Sequence, residues 1–177
     1  AGVTEQLAGV EDPIRMRPSK GVHLVVPRER IQGSLALITR TPTSVLFVLP
    51  WGRSWIIGTT DTAWHEGLSH PVATAADVTY LLEQANNSLS SNLTTDDVIG
   101  AYAGLRPLVD HEGQTESEIS REHTIRRPRP GLVTIAGGKY TTYRVMAEDT
   151  VKVHFEGDSH KLVSEVKKGK GNTGYNV

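Results

Sequence analysis

The sequence predicts an α+β fold, in which an antiparallel β-sheet is covered by one helix and is followed by a strand, a glycine turn and a second helix. Three observations support this class. Four short apolar runs joined by short links lie before residue 60, which favours antiparallel neighbours. A long amphipathic pattern follows Thr74. A charge-free run at residues 132–136 then leads into two glycines and another helical pattern.

The four apolar runs are predicted to be strands of one sheet. Pro27 ends the first run, because proline cannot donate a hydrogen bond to a strand ladder. A polar link at residues 40–44 joins the second and third runs as a hairpin. The predicted strands are residues 23–26, 34–39, 45–49 and 55–59, preceded by a short helix at residues 4–8.

The pattern after Thr74 predicts the helix that covers the sheet. Thr74 is the expected N-cap, and Asp77 is in the position that completes a capping box. The apolar positions recur at helical spacing and are predicted to be core: Val78, Leu81, Leu82, Ala85 and Leu89. Before this helix we expect a loop at residues 62–71, and after it strands at residues 98–105 and 119–125 and a turn at residues 126–130.

The stretch from Gly131 to Ala147 most strongly indicates a ligand site. Residues 132–136 are apolar or β-branched, which predicts a strand buried on both faces. Gly137 and Gly138 permit a sharp turn, and Thr141 or Thr142 can cap a helix. The first amides of that helix and the Lys139 ammonium would then favour an anion. The helix is expected to bury the face that carries Tyr143, Ala147, Val151 and Phe155.

Composition excludes several function classes for these 177 residues. The formal net charge is −1, which gives no support for nucleic-acid binding or for an anionic membrane partner. There is no cysteine, so disulfides and thiolate chemistry are excluded. No apolar run approaches the ~20 residues of a membrane span. The histidines show no metal-ligand spacing, and we predict no metal site, including at His65, Glu66 and His70.

Four segments carry a family resemblance. The motif Gly137-Gly138-Lys139, followed by Thr142-Tyr143-Arg144 and Ala147, resembles the signature of FAD-dependent glycerol-3-phosphate dehydrogenases. Three further segments resemble the same family in the same order. They are residues 20–28 (KGVHLVVPR), 57–61 (IGTTD) and 102–108 (YAGLRPL).

The resemblance implies the substrate cap of a D-amino-acid-oxidase-like flavoenzyme. Residues 1–130 would form the cap-like domain, with its first residues at the edge of the flavin domain. Residues 131–155 would return to the FAD domain, and residues 156–177 are predicted to be a flexible tail. No Gly-x-Gly-x-x-Gly follows a leading strand. We therefore expect a fragment of a longer enzyme that is inactive and does not hold FAD by itself.

Arg106, His23 and Lys139 are the candidates for substrate chemistry. From the residues alone, the favoured interpretation of Arg106 is a structural salt bridge and that of His23 is a core histidine, and Lys139 can be a solvated turn lysine. The resemblance implies that Arg106 and His23 are catalytic, with His23 taking the proton of the substrate's C2 hydroxyl. It also places Arg106 and Lys139 at the substrate. The implied cofactor-binding residues are Gly137, Gly138, Lys139, Tyr140 and Thr141.

The implied reaction is the oxidation of sn-glycerol 3-phosphate to dihydroxyacetone phosphate, with FAD as hydride acceptor and a quinone as electron acceptor. Two alternatives remain open. One is a related FAD oxidase that uses oxygen or acts on an amine, and the other is a non-catalytic binding or structural module. We expect the flavin domain of the same protein as a partner, and self-association through exposed apolar surface. The expected location is cytoplasmic, with the longer enzyme at the inner face of the membrane.

Overall fold

The computed structural model describes residues 1–42, 44–110 and 122–154. These residues form two compact units. One is Arg17–Pro107, and the other combines Ala1–Met16 with the described residues from Leu108 on. In chain order the elements are α1 (Gly2–Leu7), β1 (Ser19–Pro27), β2 (Leu37–Arg40), β3 (Val45–Trp51), β4 (Ser54–Gly58), β5 (Thr62–Ala63), α2 (Ala75–Asn86), β6 (Gly100–Arg106), β7 (His123–Arg129), β8 (Leu132–Gly137) and α3 (Tyr143–His154). The predicted α+β class with an antiparallel sheet is confirmed.

Strand β1 is the centre of the Arg17–Pro107 unit. On one edge, residues 23–27 pair with β4, and the first two residues, Ser19 and Lys20, pair with the two-residue β5. Its other edge pairs with β6 from Ser19 to Val25. All pairings are antiparallel, and β3 and β2 extend the sheet beyond β4. Residues 59–61, between β4 and β5, are outside both strand pairings and lie beside the middle of β1.

Helix α2 covers one face of this sheet, as predicted. Thr74 caps it, and the Asp77 side chain completes the capping box. The core beneath it includes Val22, Leu24, Val26, Leu81, Leu82 and Ala85. The Asp77 carboxylate also accepts a 2.6 Å hydrogen bond from Lys20 Nζ, and both side chains are buried. Lys20, Val22 and Leu24 alternate with Gly21 and His23 along β1, so Gly21 and His23 occupy the opposite face.

Pairing partners explain where the strands differ from the prediction. Strand β1 begins at Ser19 rather than at residue 23, because β5 and β6 both pair with its first residues. Strand β5 lies in the stretch predicted as a loop. Strand β7 continues to Arg129, where a turn was expected from residue 126, and Pro128 lies in the irregular part of its pairing with β8. Residues 119–121 of the predicted strand lie outside the described residues.

The second unit is built on the β7–β8 hairpin and α3. The expectation that β8 is buried on both faces is wrong, since only Thr134 and Ala136 are buried. Within the described residues β8 has one strand partner, β7, and α3 packs against both strands.

Helix α3 begins where the sequence predicted, but it packs through a face that only partly matches the predicted one. A 3-10 turn at Tyr140–Thr142 precedes it, and the helix begins at Tyr143, directly after Thr142, one of the two predicted caps. Of the predicted face, Tyr143 and Ala147 are exposed and Val151 is half-buried. The other half-buried positions are Met146, Asp149, Thr150 and Val153. The predicted face also included Phe155, which lies outside the described residues.

A buried glutamate joins α1 to the hairpin. Glu5 is fully buried, and it accepts hydrogen bonds from the backbone N–H of Ile14 at 2.6 Å and from Thr134 Oγ1. Burial alone would raise the pKa of Glu5, but these bonds and the nearby Arg126 guanidinium hold the pKa below its usual value. Residues 1–16 and 122–130, which the prediction placed in one domain with the sheet, fall in the same compact unit as β8. No helix in the described part of the chain has the length and apolarity to cross a membrane.

Candidate active site

Arg106 reaches across β1 from its position near the end of β6. Its Nη2 donates to Thr59 Oγ1 at 2.8 Å and to the Thr60 carbonyl at 3.0 Å. Its Nη1 is 3.3 Å from Asp61 Oδ1 and 3.3 Å from Ser19 Oγ. Three of these acceptors belong to residues 59–61, at the opposite edge of β1 from β6. The guanidinium therefore lies over the face of β1 that α2 does not cover.

Gly21 is what permits this crossing. A Cβ on Gly21 would lie 2.5 Å from Arg106 Nη2 and 2.8 Å from both Arg106 Cζ and Thr59 Oγ1. These separations are far below van der Waals contact. A side chain at residue 21 would therefore displace the guanidinium.

The held guanidinium is still accessible. The Arg106 and Asp61 side chains are each 26% exposed. The salt bridge anticipated from the sequence is thus present, but it does not enclose the arginine. A guanidinium that is fixed by several acceptors and partly exposed is preorganised to bind a carboxylate, a phosphate or a developing negative oxygen.

His23 lies on the same sheet face as Arg106. Its ring stacks on Tyr102 of β6, with centroids 5.0 Å apart and planes 9° apart. On the other edge of β1 its ring fills the space over Gly58, where a Cβ would come within 2.4 Å of the imidazole. Partial burial lowers the pKa of His23, and the charge of Arg106 lowers it further. The imidazole is therefore neutral at neutral pH and able to accept a proton.

The glycine turn after β8 lies in the other unit. Gly137 and Gly138 have φ of +75° and +78°, the left-handed region that glycine adopts without strain. A Cβ would approach the Glu122 carbonyl oxygen to 2.6 Å at the first glycine and Met146 Sδ to 2.5 Å at the second. The predicted sharp turn is confirmed, and packing within this unit demands both glycines.

The residues after the turn are exposed. Tyr140 is 90% exposed and stacks on Tyr143, with ring centroids 5.8 Å apart. Lys139 and Thr141 are also exposed. Next to them is an open pocket lined by Glu122, His123, Lys139, Thr142 and Val145. His123 Nε2 lies 3.1 Å from Asp149 Oδ2, which joins β7 to α3 behind this pocket.

The structure thus groups the predicted site residues in two sets. His23 and Arg106 share one sheet face of the Arg17–Pro107 unit. Gly137, Gly138, Lys139, Tyr140 and Thr141 lie together at the turn of the other unit. Within the described ranges no three His, Cys, Asp or Glu side chains form a metal-binding group.

Sequence reasoning missed the residues that hold the two catalytic candidates in place. All of them fall at or beside the family-like segments, but their roles depend on strand register: Ser19, Gly21, Gly58, Thr59, Thr60, Asp61 and Tyr102.

Comparisons with known proteins show which proteins the chain is similar to. Glycerol-3-phosphate dehydrogenase from Mycobacterium leprae is 56% identical over 137 residues, and the match covers 77% of this chain and 23% of that protein. The human mitochondrial glycerol-3-phosphate dehydrogenase is 41% identical over 140 residues, covering 76% of this chain and 19% of the relative. The chain therefore spans about a fifth of the length of these curated relatives.

A solved structure is similar in fold as well as in sequence. The glycerol-3-phosphate dehydrogenase from Bacillus halodurans, solved in complex with FAD, superposes with a TM-score of 0.70 at 36% identity. The superposition covers 88% of this chain and 30% of that one. The family model described as FAD dependent oxidoreductase matches residues 1–144, most of the 177. The chain belongs to the FAD-dependent oxidoreductase family.

Proposed function

We propose that the chain provides substrate-binding and proton-transfer residues of a dehydrogenase that oxidises sn-glycerol 3-phosphate to dihydroxyacetone phosphate. The observation that carries the proposal is the Arg106 guanidinium, fixed across Gly21 on the sheet face that also holds a neutral imidazole, His23. Oxidation of an alcohol requires a group that takes the hydroxyl proton and a charge that stabilises the oxygen. The glycerol-3-phosphate dehydrogenases similar to this chain supply the substrate class.

His23 and Arg106 have distinct roles in this proposal. His23 accepts the proton of the C2 hydroxyl, because its lowered pKa keeps the ring neutral at the working pH. Arg106 binds the substrate oxygens and stabilises negative charge as the carbonyl forms. Lys139 lies in the other unit, and its exposed ammonium is a separate candidate for binding an anion. FAD, when bound, accepts the hydride from C2.

The turn after β8 fits one end of a flavin. The first amides of a helical segment lack partners within that segment, and the 3-10 turn Tyr140–Thr142 begins directly after Lys139. The exposed Lys139 adds positive charge, and the exposed Tyr140 ring adds an aromatic surface. These residues, with Gly137 and Gly138, would hold the ring end of the cofactor. A quinone is the proposed final electron acceptor.

A hybrid enzyme tests the proposal. We define it as the Mycobacterium leprae glycerol-3-phosphate dehydrogenase with its 137 matching residues replaced by those of this chain. We expect it to bind FAD and to oxidise glycerol 3-phosphate with an artificial quinone, and not to oxidise sarcosine or D-amino acids. Oxidation of an amine instead, or the same turnover with oxygen alone, would favour the oxidase alternative. A folded, FAD-loaded hybrid without any activity would refute the proposal.

A further inference from the structure

Three glycines on the site face of the sheet differ in what covers them. Gly21 lies beneath the Arg106 guanidinium, and Gly58 lies beneath the His23 ring. Gly104 is paired with Gly21 and lies between Tyr102 and Arg106 on β6. No atom of the described residues of the Arg17–Pro107 unit lies within 4 Å of the position that its Cβ would take.

Strand geometry places this uncovered backbone inside the proposed site. Alternate residues share a face, so Tyr102, Gly104 and Arg106 point the same way, and their partners His23, Gly21 and Ser19 point with them. The Cα atoms of Tyr102 and Arg106 are about 13 Å apart along an extended strand, with Gly104 midway. A slot with a backbone floor thus lies between the guanidinium and the His23–Tyr102 stack.

We propose that Gly104 determines which substrates the site admits. The carbon chain of a small polyol phosphate lies against the Gly104 backbone, with its oxygens within reach of Arg106 on one side and His23 on the other. A side chain at residue 104 would occupy the same space. The inference rests on the proposed function, because that function supplies the substrate that fills the slot.

The fold itself does not require glycine at residue 104. The φ of Gly104 is outside the left-handed region, and an added Cβ would meet none of the described atoms of its own unit. This distinguishes it from Gly21 and Gly58, where an added Cβ would collide with a site residue. Alanine and valine at residue 104 should therefore leave the sheet intact, and valine is well suited to strands.

The test compares Gly104→Ala and Gly104→Val with Gly100→Ala in the hybrid enzyme. Gly100 lies on the same strand and face, and a Cβ there would only touch Val25 at 3.7 Å. We expect KM for glycerol 3-phosphate to rise at least tenfold in Gly104→Ala and further in Gly104→Val, with Tm and FAD content unchanged. Gly100→Ala should match the unsubstituted hybrid.

A binding measurement separates this inference from the proposed function. The dissociation constant of glycerol 3-phosphate is measured from the change in flavin absorbance under conditions without turnover. A hybrid that binds glycerol 3-phosphate but does not oxidise it would refute the proposed dehydrogenase function. Even then, weaker binding of glycerol 3-phosphate in Gly104→Val would support the inference about Gly104. Equal KM and equal dissociation constants in all variants would overturn the inference alone. A folded, FAD-loaded hybrid that neither binds nor oxidises glycerol 3-phosphate would overturn both.

Discussion

The guanidinium of Arg106 passes directly over Gly21, at a separation that leaves no room for a Cβ. Arg106 is on β6 and Gly21 is on the adjacent strand β1. Most of the acceptors that hold the guanidinium belong to residues 59–61, on the far side of β1. The three family-like segments 20–28, 57–61 and 102–108 thus contribute to one arrangement. Gly21 provides the passage, Thr59, Thr60 and Asp61 provide the acceptors, and β6 provides the arginine.

Gly21→Ala should therefore impair the site more than the fold. The added methyl group would displace the end of a flexible side chain, which can move into solvent at little cost to stability. We expect kcat/KM of the hybrid to fall about tenfold or more, consistent with loss of a charge-assisted contact of ~1.5–3 kcal/mol, while Tm changes by only a few degrees. Gly100→Ala is the matched control. Normal kinetics in Gly21→Ala would show that the position of Arg106 is unimportant.

Removal of the guanidinium itself should have the larger effect. Arg106→Ala is expected to lower kcat/KM by about one to two orders of magnitude from the lost charged contact, and further if Arg106 also stabilises the oxidised oxygen. Arg106→Lys should recover little, because an ammonium cannot reproduce the bidentate fork. Steady-state kinetics check both variants. Near-complete recovery by lysine would mean that only the charge matters.

The pH profile should report the environment of His23. Burial and then Arg106 lower its pKa from the ordinary 6.5, so we expect the acid limb of kcat/KM to lie below pH 6.5 rather than near neutrality. His23→Gln should remove this limb. Arg106→Ala should shift it toward higher pH, because one cause of the lowered pKa is gone. An unchanged profile in His23→Gln, with a lower Tm, would instead assign His23 to structure.

The buried pair of Lys20 and Asp77 should dominate the local stability of α2. Asp77→Asn leaves the Lys20 ammonium buried without its carboxylate, and removing one partner of a buried pair costs about 3–5 kcal/mol. Lys20→Met should cost less, since Asp77 keeps two hydrogen bonds from Thr74. Urea denaturation of the 177-residue chain, followed by tryptophan fluorescence to which the buried Trp55 contributes, checks this order. Equal losses in the two variants would contradict it.

The same pair predicts a pH dependence of stability. Burial alone would raise the pKa of Asp77, but hydrogen bonds from Lys20 and Thr74 outweigh it and hold the pKa below 3.8. The unfolded chain then binds the proton first as the pH falls. This contribution to stability is complete above the unfolded pKa and is lost as the pH drops through the lowered folded pKa. Asp77→Asn should flatten that part of the stability curve.

Local rules predicted part of this molecule well. The capping box of α2 depends on residues three apart, and the apolar face of α2 depends on its own periodicity, so both were visible in the sequence. The glycine turn at Gly137 and Gly138 was visible for the same reason. The roles of Arg106 and His23 were suggested by resemblance and remain predictions.

Tertiary pairing decided the rest. Strand β5 exists because Thr62 and Ala63 pair with Lys20 and Ser19 of β1. No local sequence pattern predicts this pairing. Strands β7 and β8 determine which face of α3 is packed. Met146 contacts the hairpin at Gly138, whereas Tyr143 is exposed. The passage of Arg106 over Gly21 requires the register between β1 and β6, which is set by residues far apart in the sequence.

The central claim is that this chain provides the residues that bind and oxidise glycerol 3-phosphate beside a flavin. The most direct measurement is the loss of flavin absorbance after anaerobic addition of glycerol 3-phosphate to the hybrid enzyme, which needs no electron acceptor. We predict that the flavin of the unsubstituted hybrid is reduced. At equal FAD content, the flavin of the Arg106→Ala variant should be reduced about tenfold more slowly or to a smaller extent. A folded hybrid whose bound flavin stays oxidised, or equal rates in the two proteins, would contradict the account.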